Sequence, residues 1–67
     1  MKNPFKVGDV IIVKRASTPA YNGVVATITE IIGRDNHVCR TDKKDLGGCD
    51  LLLEWQKLDL YKEVNEI

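Results

Sequence analysis

The sequence has no long apolar run; its longest is four residues, Val10 to Val13. A membrane-spanning helix needs about 20. Residues 1–20 also lack the apolar core of a secretory signal. Membrane insertion is therefore not expected, and the simplest placement is cytoplasmic. Cysteine is scarce too. Cys39 and Cys49 are too few for a disulfide framework, so both are expected as free thiols, at least one of them buried. Charge of one sign is absent: ten Lys and Arg balance ten Asp and Glu, and the isoelectric point is about 6.5. A dedicated nucleic-acid domain usually lies well above that, at a pI over about 9. Aromatics are few (Phe5, Tyr21, Trp55 and Tyr61), which denies the chain a base-stacking platform. There is no internal repeat, low-complexity tract or Pro/Ser-rich linker.

What remains is one domain's worth of chain. The 67 residues are 43% hydrophobic, too apolar for a disordered tail. A domain this small buries only about 60% of its unfolded surface, so its core is marginal. The balanced charge is unevenly spread. Residues 1–44 carry eight basic side chains against four acids, and residues 45–67 carry two against six. Pairing between the two sets across adjacent strands is the expected outcome, because solvated faces of small domains mix both signs.

Short strands joined by turns account for the punctuation. Gly8-Asp9 leads into the β-branched run Val10-Ile11-Ile12-Val13. The stretch 16–23 follows, with Pro19 excluding a central strand and Asn22-Gly23 marking a turn. From Val24 to Ile32, Val24, Ala26 and Ile28 alternate with Val25, Thr27 and Thr29. Gly33-Arg34-Asp35-Asn36 reads as a hairpin turn into a strand over His37–Thr41, and a polar loop with Gly47-Gly48 comes next.

The last third admits two readings. Asp50 could cap a helix over Leu51–Glu66, since Leu, Glu, Gln and Lys favour helix. At about 100° per residue, however, Leu51, Leu53, Leu60, Tyr61 and Val64 spread around the whole cylinder. Alternation fits better: Leu51, Leu53 and Trp55 share one strand face, Gln56-Lys57 turns, and Leu58 and Leu60 resume. The tail 63–67 is expected to fray. The fold class is thus all-β, a small barrel of five short strands, with a three-stranded sheet plus C-terminal helix (α+β) as the alternative.

Three segments carry a resemblance. Phe5-Lys6-Val7-Gly8-Asp9-Val10-Ile11-Ile12-Val13 resembles the opening strand of SH3-like and KOW-type barrels. Tyr21-Asn22-Gly23-Val24-Val25-Ala26-Thr27-Ile28 is similar to their second strand, although Tyr21 stands where many relatives have glycine or lysine. Leu53-Glu54-Trp55-Gln56-Lys57-Leu58-Asp59-Leu60 looks like their closing segment, in which one 3₁₀ turn separates the last two strands. The resemblance covers about residues 5–62 and implies an SH3-like barrel. Its motifs are generic and imply fold, not function. A free-standing barrel of this length, starting at its own methionine, also resembles small proteins of bacteria and their phages.

Chemistry is sparse. His37, Cys39 and Cys49 are the only soft metal ligands close in sequence, with His37 and Cys39 expected on one strand face. A structural zinc site wants four ligands, usually with CxxC pairs, and neither a pair nor a fourth ligand is present. No nucleophile–base–orienter set exists, and Asp42 and Asp45 sit in a polar loop. No metal, cofactor or enzymatic activity is expected.

Binding is the remaining class. A regulatory or adaptor module that contacts another protein is the first expectation. The implied groove lies between loops 15–23 and 41–50, with Tyr21 as anchor, Arg15 as companion and Trp55 as a third candidate whose alternative is core packing. A proline-rich ligand is not expected, because clustered aromatics are missing. The alternative is KOW-type nucleic-acid binding along Lys6, Lys14, Arg15, Arg34, Arg40, Lys43 and Lys44. Self-association, which would supplement a marginal core, is the third.

Overall fold

A computed structural model describes residues 2–61. The chain is all-β: β1 (Val10–Val13), β2 (Val25–Ile32), β3 (Val38–Lys44), β4 (Asp50–Glu54) and β5 (Leu58–Leu60). They form one antiparallel sheet in the order β4-β3-β2-β1-β5. The long strand β2 belongs to both halves. Its first part pairs with β1 (Ala26 opposite Ile11) and its second with β3 (Ile31 opposite Cys39). The register shifts between Ile28 and Glu30, where the strand bends. The result is a small barrel-like sheet whose concave side encloses the core.

The core follows from period-two alternation. Ile11 and Val13, Ala26 and Ile28, Cys39 and Thr41, and Leu51 and Leu53 are buried pairs one residue apart on successive strands, joined by Leu58 of β5. Each strand thus turns its alternate side chains inward, and burying each larger aliphatic contributes about 1.5–3 kcal/mol. Thr41 is the one buried polar residue among those described. Its hydroxyl donates to the Leu51 carbonyl at 3.0 Å and accepts from the Lys43 N–H at 3.3 Å. This side chain bridges the point where the β3–β4 register slips between Arg40 and Lys44.

The turns explain the strand boundaries. Lys6 to Asp9 closes on an Asp9 N–H to Lys6 carbonyl bond of 3.0 Å, with Gly8 at φ 98° as a type II turn requires. The β2–β3 connection is a hairpin turn with two successive left-handed residues, Asp35 (φ 57°) and Asn36 (φ 55°), and a His37 N–H to Arg34 carbonyl bond of 3.2 Å. That is the type I′ arrangement, whose twist matches the flanking strands.

The helical alternative for the C-terminal third is overturned. Residues Asp50–Glu54 and Leu58–Leu60 are strands joined by a 3₁₀ turn, Trp55–Lys57. Leu51 pairs its burial with Leu53, which a strand allows and a helix of this sequence does not. Strand bounds also differ: β2 starts at Val25, not Val24, and Trp55 opens the 3₁₀ turn instead of continuing the Leu51–Leu53 strand face. The third strand starts at Val38, because His37 is in right-handed helical backbone (φ −72°, ψ −28°), and it continues to Lys44 through residues read as loop. The expected frayed tail, 63–67, lies outside the described residues. No helix among the described residues is long and apolar enough to cross a membrane.

Candidate functional site: a groove between the first loop and strand β4

The loop between β1 and β2 is long but internally braced. At its base Lys14 and Arg15 N–H groups both donate to the Lys57 carbonyl, at 2.9 and 3.3 Å, and Gly23 N–H donates to the Val13 carbonyl at 2.8 Å. Across the loop the Asn22 side chain accepts from the Ala16 N–H at 2.8 Å. Pro19 opens a 3₁₀ turn, Pro19–Tyr21, suited to its fixed φ. The turn delivers Tyr21 half-buried against the core, where its hydroxyl accepts from the Leu46 N–H at 3.1 Å.

A groove of about 220 Å³ opens on the other side of this loop. Ala16, Ser17, Thr18 and Tyr21 form one wall; Leu52, Leu53 and Glu54 of β4, with Lys57, form the other. Leu52 is 47% exposed beside it, between the buried Leu51 and Leu53. A larger hollow of about 500 Å³ is lined by Lys2, Asn3, Asp35 and Asn36. All four are polar, and Asn3 is already engaged with the Asn36 carbonyl (2.8 Å) and the Cys39 sulfur (3.4 Å). Of the two, the first groove is the one lined by apolar side chains, Ala16, Tyr21, Leu52 and Leu53, as binding sites favour.

The expected groove between loops 15–23 and 41–50 is therefore displaced. The Tyr21–Leu46 bond ties those loops together, and the opening lies instead against β4 and the turn after it. Tyr21 lines it. Arg15 stands beside it but is turned back onto the barrel: its guanidinium donates to the Gln56 carbonyl from Nε (3.2 Å) and Nη2 (2.9 Å) and lies 3.6 Å from Asp59. Trp55 packs partly buried against the core, and its backbone N–H donates to the His37 carbonyl at 3.1 Å.

The basic candidates are distributed over the fold. Lys14 follows the first strand, Arg34 sits in the β2–β3 turn, and Arg40, Lys43 and Lys44 lie on β3. Arg40 reaches Asp50 at 3.1 Å, and its Nε lies 3.1 Å from Glu30 without hydrogen-bond alignment. Lys44 meets Asp50 at 2.6 Å. The hydrogen bonds from Lys44 and then Arg40 hold the Asp50 carboxyl below its ordinary range, and Asp50 in turn raises Lys44. The expected pairing of the basic and acidic parts of the sequence is met in part, by Arg15 with Asp59 and by Arg40 and Lys44 with Asp50.

His37 and Cys39 do not share a face. His37 turns to Glu54, Nε2 to Oε2 at 2.9 Å, while Cys39 is fully buried. Burial pushes the Cys39 thiol up, and the Asn3 contact pulls it partly back. Cys49 is exposed in the turn before β4, its N–H bonded to the Asp45 carboxylate at 3.0 Å. Among the described residues no three His, Cys, Asp or Glu side chains converge as metal ligands would.

Sequence reasoning missed the β4 wall of the groove. The signal was present in Leu51-Leu52-Leu53: a strand with both outer leucines inward must turn the middle one out. No protein-family model, curated protein or solved structure matches the chain.

Proposed function

We propose that the chain is a small, non-enzymatic binding module that contacts another protein through the groove between the first loop and β4, in a cytoplasmic regulatory or adaptor role. The observation that carries this reading is the exposed Leu52 beside a groove with an apolar floor and a polar rim of Ser17, Thr18, Glu54 and Lys57. Interface cores combine an apolar centre with such a rim. Kinship with SH3-like barrels is supported by the strand order and by the 3₁₀ turn before the last strand. The nucleic-acid reading is second, because Arg15, Arg40 and Lys44 are occupied by acids of neighbouring strands.

Affinity capture with the wild type, Tyr21→Ala and Leu52→Arg tests the surface. Leu52→Arg is the cleaner variant, since it changes an exposed side chain, and a preserved amide NMR spectrum away from β4 establishes its fold. Loss of the same partner in both variants supports the groove. Identical partner lists for all three proteins sink it. A low-salt gel shift with RNA and DNA that yields a complex weakening steeply with salt would move the assignment to the basic side chains.

A further inference from the structure

The groove has a backbone wall as well as a side-chain one. Strand β4 lies at the end of the sheet, hydrogen-bonded on one side to β3. The direction of its peptide groups follows from pairing. Trp55 N–H donates to the His37 carbonyl, and Val38 faces Glu54, Cys39 faces Leu53 and Arg40 faces Leu52 in unbroken register. In an antiparallel ladder the residues that exchange hydrogen bonds alternate. Since position 55 bonds inward to β3, so does Leu53, while Leu52 and Glu54 point their N–H and C=O groups away from the sheet. Thr41 confirms the phase, because its hydroxyl meets the Leu51 carbonyl on the β3 side. Leu52 and Glu54 are also the β4 residues lining the groove whose side chains are exposed.

Building on the groove reading above, we propose that this site takes an extended segment of a partner protein as a sixth, antiparallel strand on β4, with a basic residue opposite Glu54 and apolar residues at the next two positions. Register fixes that pattern. The partner residue opposite Glu54 comes first, and the one opposite Leu52 lies two residues later; both exchange backbone bonds with β4. The residue between them faces Leu53 and turns its side chain to the groove floor, among Ala16, Tyr21 and Leu53. An apolar side chain suits that floor, and a second suits Leu52. Strand addition of this kind draws affinity from the main chain and specificity from alternate side chains.

Charge selects the remaining position. Asp50 is already matched by Lys44 at 2.6 Å and Arg40 at 3.1 Å. Among the described residues Glu54 meets only the His37 ring, at 2.9 Å, which cancels its charge only when the ring is doubly protonated. Glu54 is thus the acid on this edge left for a cation, and like charges directly across a strand pair are unfavourable.

The test uses the whole chain and a capped heptapeptide, Thr-Thr-Arg-Val-Val-Thr-Thr, followed by amide NMR. Binding is expected to shift Thr18, Tyr21 and Leu52 and to slow hydrogen exchange at the Leu52 and Glu54 amides. Replacing the backbone amide of the Arg or the second Val by an ester removes a donor facing β4 and should weaken binding about five- to tenfold. The same change at the first Val, whose N–H faces away, should alter it by less than about twofold. A Glu-for-Arg peptide should bind more weakly to the wild type and better to Glu54→Lys. Binding at the groove with all three esters equivalent overturns strand addition while leaving the groove intact. Failure of every heptapeptide to shift any groove residue overturns it as well, and capture with Leu52→Arg then decides the groove separately. Concentration-dependent protection of Leu52 and Glu54 in the free protein, with dimer in sedimentation, overturns it in favour of a second copy.

Discussion

The Tyr21 hydroxyl accepts a 3.1 Å hydrogen bond from the backbone N–H of Leu46, linking the first loop to the turn between β3 and β4. One side chain thereby does two things: its ring packs on the core and supplies groove wall, and its oxygen fixes how far apart two loops stand.

Tyr21→Phe separates the two roles. Removing the hydroxyl leaves the ring in place and should cost about 0.5–1.5 kcal/mol in urea unfolding. Exchange at the Leu46 amide should speed up. Unchanged stability and exchange would mean the bond is not formed in solution.

Arg15 is held as a clamp. Its two guanidinium contacts to the Gln56 carbonyl need the planar fork that lysine lacks. Both Arg15→Ala and Arg15→Lys should therefore lose about 1 kcal/mol of stability. If lysine restored full stability, charge near Asp59 would be the operative feature instead.

The two thiols should differ in reactivity, and Cys39 should also shape the pH dependence of stability. Exposed Cys49 should react with a thiol reagent in the native protein, and buried Cys39 only on unfolding. Because burial raises the Cys39 thiol in the folded state, its contribution to stability is complete below the ordinary thiol pKa. That contribution is lost as pH rises through the raised value. Chemical unfolding at stepped alkaline pH should show this decline in wild type and a flatter limb in Cys39→Ala. Equal slopes would contradict it.

At the β2–β3 turn, Asn36 occupies left-handed backbone at φ 55°. Asn36→Val should cost about 1–2 kcal/mol, since a β-branched side chain crowds that conformation. Asn36→Gly should not destabilise the hairpin. Thermal melts of the two variants give the comparison.

How much of this was legible depends on which force sets each feature. The strands around Ile11, Ala26 and Cys39 could be read because alternation and turn residues agree there. The β3 extension through Asp42 to Lys44 could not, because its residues are exposed and polar; what extends it is pairing, including Thr27 N–H donating to the Asp42 carboxylate at 3.0 Å. Leu51 to Leu60 could be read as strand from its spacing, although its composition suits a helix equally well. Tyr21 could be singled out as an aromatic in a polar loop. Its partner Leu46 and the recruitment of Arg15 by a carbonyl at position 56 arise from tertiary approach, which no local pattern encodes.

The pairing of β1 with β5 sets Ile11 opposite Leu60 and Val13 opposite Leu58, residues from opposite ends of the described chain. The hairpins β2–β3 and β3–β4 can form over short loops, whereas this seam must wait for nearly the whole chain to gather. Such nonlocal closure places folding of small β domains in the millisecond-to-second range. Until it closes, Ile11, Val13 and Leu58 stay partly wet, so the nascent protein exposes apolar surface longest on the side where its first strand still lacks a second neighbour.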